Sequence, residues 1–248
     1  MSNPLPHDSI KPFNSSEKTK KEEVEIMFDR IAGGYDFMNR FLSARIDVLW
    51  RKKAIRFLKK QAPSTILDMA TGTADMALLA CKKINPDKIV GIDLSEGMLA
   101  IGRKKVEKEG LSHKIELKKG DAETINAPDN SFDAIMVAFG VRNFEHLELG
   151  LSELRRVLKP GGNLVILEFS KPKNRFIKSI YNWYMSKLAP GLAKQFNQDK
   201  EAYSYLNKSA NAFPDRELLT HLLGKQGFIN ANYTSLTMGI CCLYTATK

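Results

Sequence analysis

Residues 65–75 read TILDMATGTAD, an apolar run that ends near an acidic side chain and passes through a glycine-containing loop into a helix-forming stretch. The run is rich in residues that favour strands, and Gly72 lies in the loop. The same order recurs at Lys88 to Asp93, followed by a helical stretch from Glu96 to Lys108. A strand, a loop and a helix in repetition predict βαβ units, and therefore a parallel sheet covered by helices.

The alternation continues towards the C-terminus. A break at Pro160 to Gly162 precedes Asn163 to Phe169, a nearly continuous apolar run of the kind that a strand buried on both faces requires. Two final strand-like runs predict a terminal hairpin. We therefore expect an α/β fold with a doubly wound, mostly parallel sheet. Its remaining predicted elements are strands at Ile115 to Lys119, Phe132 to Val137, Phe228 to Leu236 and Ile240 to Ala246, and helices at Met76 to Lys83, Leu147 to Leu158 and Pro214 to Lys225.

On the N-terminal side, apolar residues recur at helical spacing between Ile26 and Leu58, so two helices should precede the first strand. Residues 1–15 are rich in proline and asparagine and lack an apolar period, which is typical of a disordered tail. The expected organisation is a tail, 1–15, and a single domain, 16–248, with an insertion or lid at 171–212.

Composition excludes several classes of protein. The 248 residues are 43% hydrophobic and 27% charged, as in soluble globular proteins, and no apolar run is long enough to span a membrane. Three cysteines and four scattered histidines provide neither a disulfide framework nor a metal site, so no metal is expected. The start of the chain does not have the pattern of a signal peptide, which predicts a cytoplasmic location. The net charge of +10 favours a nucleic acid, a phosphate or an anionic lipid surface as partner.

Candidate ligand-binding residues lie at the ends of three successive strands. Asp68 and Gly72 follow the first strand, Asp93 ends the second, and Asp121 and Ala122 follow the third. Ligands of open α/β sheets bind at this edge, where an acidic side chain can bind the hydroxyls of a ribose. The G-x-G-x-x-G pattern is absent, which disfavours NAD and FAD. Each residue taken singly could also be a helix cap or a turn.

Three further segments resemble one family. They are RVLKPGGNLVILEFS at residues 156–170, the run YDFMN at residues 35–39, and FGVRN at residues 139–143. Together they resemble the ubiquinone/menaquinone biosynthesis C-methyltransferases over about residues 24 to 247. In that family the second segment continues with a serine, a histidine and a tryptophan. Ser43 and Trp50 are present here, whereas Asp47 occupies the histidine position.

The resemblance implies a class I methyltransferase fold, a Rossmann-like sheet of seven strands with one antiparallel strand near its edge. It implies S-adenosylmethionine as cofactor, with Thr73, Asp93, Asp121 and Ala122 around it. The implied reaction is C-methylation of a polyprenylated demethylquinol, with demethylmenaquinol as the expected substrate. Asp36, Asp47, Tyr35 or a water molecule is then the candidate base, and Arg142 can stabilise a phenolate. Tyr35 and Trp50 could equally be packing residues.

Basic and aromatic residues alternate between Lys171 and Lys194 without an acidic residue. At helical spacing this pattern favours a lid over an apolar substrate, or transient contact with an anionic membrane surface at the inner face of the cell membrane. An ordinary amphipathic helix is the alternative. The rival functions are an RNA or small-phenol methyltransferase on the same fold and a non-enzymatic quinone-binding or cofactor-binding protein. No nucleic-acid motif is present, so no nucleic acid partner is expected. The sequence is compatible with a homo-oligomer.

Overall fold

The computed structural model describes residues 5–13, 15, 17–177, 179 and 200–248, and within these ranges seven strands form one sheet. The strands are β1 (Thr65–Met69), β2 (Lys88–Asp93), β3 (Ile115–Lys119), β4 (Phe132–Ala138), β5 (Leu158–Phe169), β6 (Ile229–Leu236) and β7 (Cys241–Thr247). Their order across the sheet is β3-β2-β1-β4-β5-β7-β6. Strand β7 runs antiparallel to β5 and β6, and the other neighbouring pairs are parallel. The predicted parallel sheet with a terminal hairpin is confirmed.

The sheet is sandwiched between two layers of helices. The helices are α1 (Lys20–Leu42), α2 (Ile46–Lys59), α3 (Asp75–Ile84), α4 (Glu96–Lys108), α5 (Leu147–Val157), α6 (Lys200–Ala212) and α7 (Glu217–Lys225). Apolar side chains of α2, α3 and α4 pack on one face of the sheet, and those of α5 and α7 pack on the other. Burial on both faces explains the nearly continuous apolar runs of β1, β4 and β5.

Strand β5 begins earlier than the sequence predicts. Pro160 to Gly162 were expected to break the chain, yet they lie inside the strand. The pairing with β4 shifts there, because Phe132 is opposite Leu158 whereas Ala134 is opposite Asn163. The turn-forming residues are accommodated as a bulge, and regular pairing with β4 continues from Asn163 onwards.

Two helices precede β1, as predicted. Helix α1 begins with a capping box in which the Thr19 hydroxyl accepts the Glu22 N–H and the Glu22 side chain accepts the Thr19 N–H. Beyond it, α1 packs on α4 and α6 through Val24, Met27 and Ile31. This contact places α1 across the edge of the sheet at which β1, β2 and β4 end.

Part of the expected disordered tail, residues 1–15, is described and contacts the rest of the chain. The backbone N–H groups of Phe13 and Ser15 donate to the Glu23 carboxylate, each at 2.6 Å, and the buried Lys20 ammonium donates to the His7 carbonyl at 3.0 Å. His7 is itself buried, edge-on against Phe213. Composition cannot reveal these contacts, because their partners lie elsewhere in the fold, and the disorder of residues 1–15 stays a prediction.

The predicted lid falls largely outside the described residues. Residues 180–199 are not described, and α6 follows them as a helix that was not predicted separately. The lid therefore stays a prediction. Within the described ranges, no helix combines the length and the apolar character needed to span a bilayer.

Candidate active site

A cleft of about 710 Å³, open to solvent, lies at the carboxyl ends of β1 to β4. The loops after these strands form its floor, and α1 covers it with Lys21, Val24, Glu25, Phe28 and Tyr35. Of the residues singled out in the sequence, Tyr35, Gly72, Asp93, Asp121 and Ala122 line this cleft.

The loop after β1 approaches the cleft through its backbone. Gly72 has a φ of +55°, and a Cβ built on it would meet no atom within 4 Å, so a ligand can approach the main chain there. Asp68 supports this loop from behind, since its buried carboxylate accepts the Thr71 hydroxyl at 2.7 Å. Burial raises the pKa of Asp68 to about 7, despite that hydrogen bond. Asp68 therefore shapes the loop and does not itself line the cleft.

Asp93, at the end of β2, is held by two backbone donors. The Gly72 N–H donates to one carboxylate oxygen at 2.7 Å and the Ser95 N–H donates to the other at 2.9 Å. Removal from bulk water raises the pKa of Asp93 to about 6, although both hydrogen bonds act in the opposite direction. A fixed carboxylate at a strand end, with further acceptor capacity, suits a vicinal diol.

The loop after β3 adds Asp121 and Ala122 to the lining of the cleft. The Glu123 N–H donates to one Asp121 oxygen at 3.0 Å, and the Lys21 ammonium of α1 donates to the other at 2.6 Å. An ion pair between a covering helix and a strand-end loop was not predicted. The sequence offers no signal for it, because the two residues are a hundred positions apart.

Asp36 of α1 and Asp47 of α2 lie in polar networks within the protein and do not line the cleft. Asp36 accepts the Thr73 hydroxyl at 2.6 Å and pairs with Lys105 at 3.0 Å. Thr73, expected near the cofactor, is thereby turned towards α1. Asp47 is buried, pairs with Arg40 and with Arg51, and accepts the Ser43 hydroxyl at 2.7 Å. Both carboxylates are thus occupied by partners within the protein.

Arg142 is fully enclosed next to the cleft wall. Its guanidinium donates to Glu168 at 2.7 Å and to the Phe139 carbonyl at 2.6 Å, while its Nε is buried without a hydrogen-bond partner. Burial alone would lower the pKa of Arg142, but the Glu168 carboxylate raises it, so the side chain stays charged. Burial raises the pKa of Tyr35, against a smaller opposite effect of Arg142. Tyr35 is therefore neutral at physiological pH.

Aromatic rings form the wall near the end of β4. Phe139 lines the cleft and lies 4.8 Å, centroid to centroid, from Phe169, and Trp50 is next to both rings. Trp50 donates to the Thr237 hydroxyl at 2.8 Å. The three rings belong to the three segments that carry the family resemblance, and the structure brings them together.

The side chains and backbone groups of the cleft can bind an organic cofactor and substrate. Among the described residues, no group of three His, Cys, Asp or Glu side chains is suited to hold a metal ion. The cleft combines acidic and backbone polar groups at one end with aromatic rings and a buried cation near the other. This arrangement can hold a polar cofactor against an aromatic substrate.

Comparison with known proteins places the chain in a family. The family model for the ubiE/COQ5 methyltransferase family matches residues 16–248. Two curated relatives are named demethylmenaquinone methyltransferase: one from Bacteroides fragilis is 49% identical, covering 98% of this chain and 99% of the relative, and one from Porphyromonas gingivalis is 43% identical, covering 97% and 98%. A solved SAM-dependent methyltransferase from Thermotoga maritima, 21% identical, shares the fold with a TM-score of 0.62 over 90% of this chain and 98% of its own. The chain therefore belongs to the ubiE/COQ5 methyltransferase family.

Proposed function

We propose that this chain transfers a methyl group from S-adenosylmethionine to a ring carbon of a polyprenylated demethylquinol, with demethylmenaquinol as the substrate. Similarity over nearly the full length to two demethylmenaquinone methyltransferases carries the proposal. The cleft supports it, because it offers polar groups for a nucleoside and an aromatic wall for a quinol ring.

The cofactor fits the polar end of the cleft. S-adenosylmethionine supplies an activated methyl group on its sulfonium when it is bound. Asp93 would accept hydrogen bonds from the ribose hydroxyls, because its carboxylate is already oriented by Gly72 and Ser95. Asp121 and Ala122 would lie at the adenine edge, and Gly72 would let the main chain approach the ligand. Thr73 and Asp68 would support these residues from outside the cleft.

The substrate would occupy the aromatic end. A phenol has a pKa of about 10, so a protein that favours the phenolate makes the neighbouring ring carbon a nucleophile. The buried charge of Arg142 would stabilise that phenolate. Among the candidate bases, Tyr35 is the one that lines the cleft, but it is neutral there. Its hydroxyl would therefore orient the water molecule that receives the proton. Asp36 and Asp47 are engaged by Lys105, Arg40 and Arg51.

A long prenyl tail is insoluble in water, so the protein must collect its substrate at a bilayer. We propose reversible attachment at the inner face of the cell membrane, with the segment from Lys171 to Lys194 as one contact. Most of that segment lies outside the described residues.

Incubating the purified protein with S-adenosylmethionine and each candidate acceptor tests the proposal. Menaquinol and S-adenosylhomocysteine should form from demethylmenaquinol, as measured by mass spectrometry. Product from RNA, from a small phenol or from a demethylated ubiquinol alone would identify a different acceptor. Absence of any product, with retained cofactor binding, would favour the non-enzymatic alternative.

A further inference from the structure

We propose that the exposed face of α2 is a docking surface for anionic lipid. The inference rests on the proposed function, because a prenylated substrate requires contact with a bilayer. It concerns a part of the molecule that is separate from the Lys171 to Lys194 segment, and it is carried by the charge, the exposure and the pairing of described residues.

Five basic residues share one face of α2, and they are all exposed. We call them the basic stripe: Lys52, Lys53, Arg56, Lys59 and Lys60, the last being the C-cap of the helix. At 3.6 residues per turn they cover an arc of about 120°. The opposite face is buried and includes Trp50, Ala54 and Leu58. The stripe therefore runs for about 12 Å along the solvent side of α2, from Lys52 to the C-terminal end of the helix.

The stripe has no acidic partner within the described part of the chain. Its five side chains form no ion pair there, whereas lysines elsewhere on the surface do, as Lys82 does with Glu109 and Lys119 with Glu25. The acidic residue of α2, Asp47, is buried and paired with arginines. Among the residues that the structure describes, no acidic side chain therefore relieves the repulsion between these five neighbouring cations. An external anion would relieve it.

A shallow pocket between α2 and α3 lies within this face. It is lined by Lys52, Ile55, Arg56, Lys59 and Lys83. Four cationic side chains around one depression suit a phosphate group that carries its charge on several oxygens. A lipid headgroup presents such a phosphate at the end of a molecule anchored in the bilayer.

Exposed apolar residues lie at the N-terminal end of the same helix. Leu49 is 62% exposed and falls within the arc of the stripe. Met238, 74% exposed, follows Thr237, whose hydroxyl accepts a hydrogen bond from Trp50. When α2 lies parallel to a bilayer, the stripe faces the headgroups and Leu49 points towards the acyl chains.

This end of α2 is also the one next to the cleft. Trp50 contacts Phe139, which lines the cleft. A tail that leaves the aromatic end of the cleft would therefore reach the bilayer near Leu49 and Met238. A nucleic acid would account for the charge but not for exposed apolar side chains beside it, so we favour lipid.

The test compares two variants with equal loss of charge. The first replaces Lys52, Lys53, Arg56 and Lys59 by glutamine. The control replaces four exposed lysines of α4, α6 and α7 by glutamine, namely Lys104, Lys108, Lys208 and Lys225. Co-sedimentation with vesicles of phosphatidylglycerol and phosphatidylcholine is measured at low and high salt, and circular dichroism checks that each variant is folded.

We expect the stripe variant to bind these vesicles at least tenfold more weakly than the wild type at low salt, and the control to stay within twofold. Leu49→Ala should weaken binding at both salt concentrations. The proposal would be overturned if the two charge variants lost equal affinity, or if the stripe variant bound vesicles like the wild type. It would also be overturned if the wild type bound single-stranded RNA but no vesicles and the stripe variant lost that RNA binding. Turnover of a tail-less demethylquinol is measured in parallel. Its absence in the wild type would count against the proposed function, whereas the sedimentation result would still decide the docking surface.

Discussion

At the scale of a residue, Asp93 is the strongest candidate for a cofactor contact. Replacing it by alanine removes the acceptor of two hydroxyl hydrogen bonds, and bonds to a charged group contribute about 1.5 to 3 kcal/mol. We expect the dissociation constant for S-adenosylmethionine to rise by about tenfold or more, measured by calorimetry. Glu107→Ala, on the exposed side of α4, is the control. A rise below about fivefold, or about 1 kcal/mol, would remove Asp93 from the cofactor site.

The protonation of Asp93 gives a second prediction. Because burial raises its pKa to about 6, the free protein loses the carboxylate below that pH, and cofactor affinity should fall by about tenfold per pH unit there. Asp93→Asn should show weak binding without this dependence. The free energy of unfolding changes with pH in the opposite direction to cofactor affinity. A raised acid pKa contributes stability to the fold that is present below about pH 4 and is lost as the pH rises through 6. Unchanged wild-type affinity between pH 7 and 5 would contradict the assignment.

A substitution of Asp47 distinguishes a structural role of this residue from a catalytic one. It occupies a position where the family has a histidine, yet it is buried between Arg40 and Arg51 and away from the cleft. Asp47→Asn should therefore lower the free energy of unfolding by about 1 to 3 kcal/mol, measured with denaturant, because buried donors lose their partner. Turnover of the folded variant should remain close to that of the wild type. Wild-type stability together with lost turnover would instead identify Asp47 as the proton acceptor.

At the scale of an element, the segment after β5 carries a prediction that the described residues leave open. Replacing Lys173, Arg175, Lys178 and Lys187 by glutamine should reduce liposome co-sedimentation at low salt. Each basic residue near an anionic surface contributes about 1 kcal/mol, and salt screens the effect over about 10 Å. The KM for a long-tailed quinol should rise, and the KM for a tail-less analogue should not. Equal effects on both substrates would make the segment a structural element.

Periodicity in the sequence predicts the elements whose signal is local. The β-branched runs correctly predict β1 to β4, and the helical spacing of apolar residues correctly predicts α1 and α2, because burial on a sheet face or along one side of a helix repeats within a few residues. The start of β5 was missed, since Pro160 and Gly161 form a bulge only when β4 is present beside them. The contacts of His7 with Lys20 and Phe213 are not predictable for the same reason, because they depend on the folded structure.

At the scale of the whole molecule, some residues of the candidate site have a local signal in the sequence, and others depend on how the elements pack. Gly72, Asp93, Asp121 and Ala122 could be found from the sequence, because the ends of parallel strands meet at one edge of a sheet. The pairing of Lys21 with Asp121 could not, since it depends on how α1 crosses that edge. The engagement of Asp36 by Lys105 joins α1 to α4 and is likewise a property of packing. The sequence could therefore predict the floor of the cleft, whereas its cover required the structure.

The most direct test of the account follows the methyl group itself. The protein is incubated with demethylmenaquinol and S-adenosylmethionine that carries an isotopically labelled methyl group, and the quinone product is analysed by mass spectrometry and nuclear magnetic resonance. We expect the label on a ring carbon of menaquinone, in equal amount to the S-adenosylhomocysteine formed, and a much slower reaction with Arg142→Gln. Label on an oxygen, as a methyl ether, or no transfer to the quinol while the cofactor binds, would contradict the account.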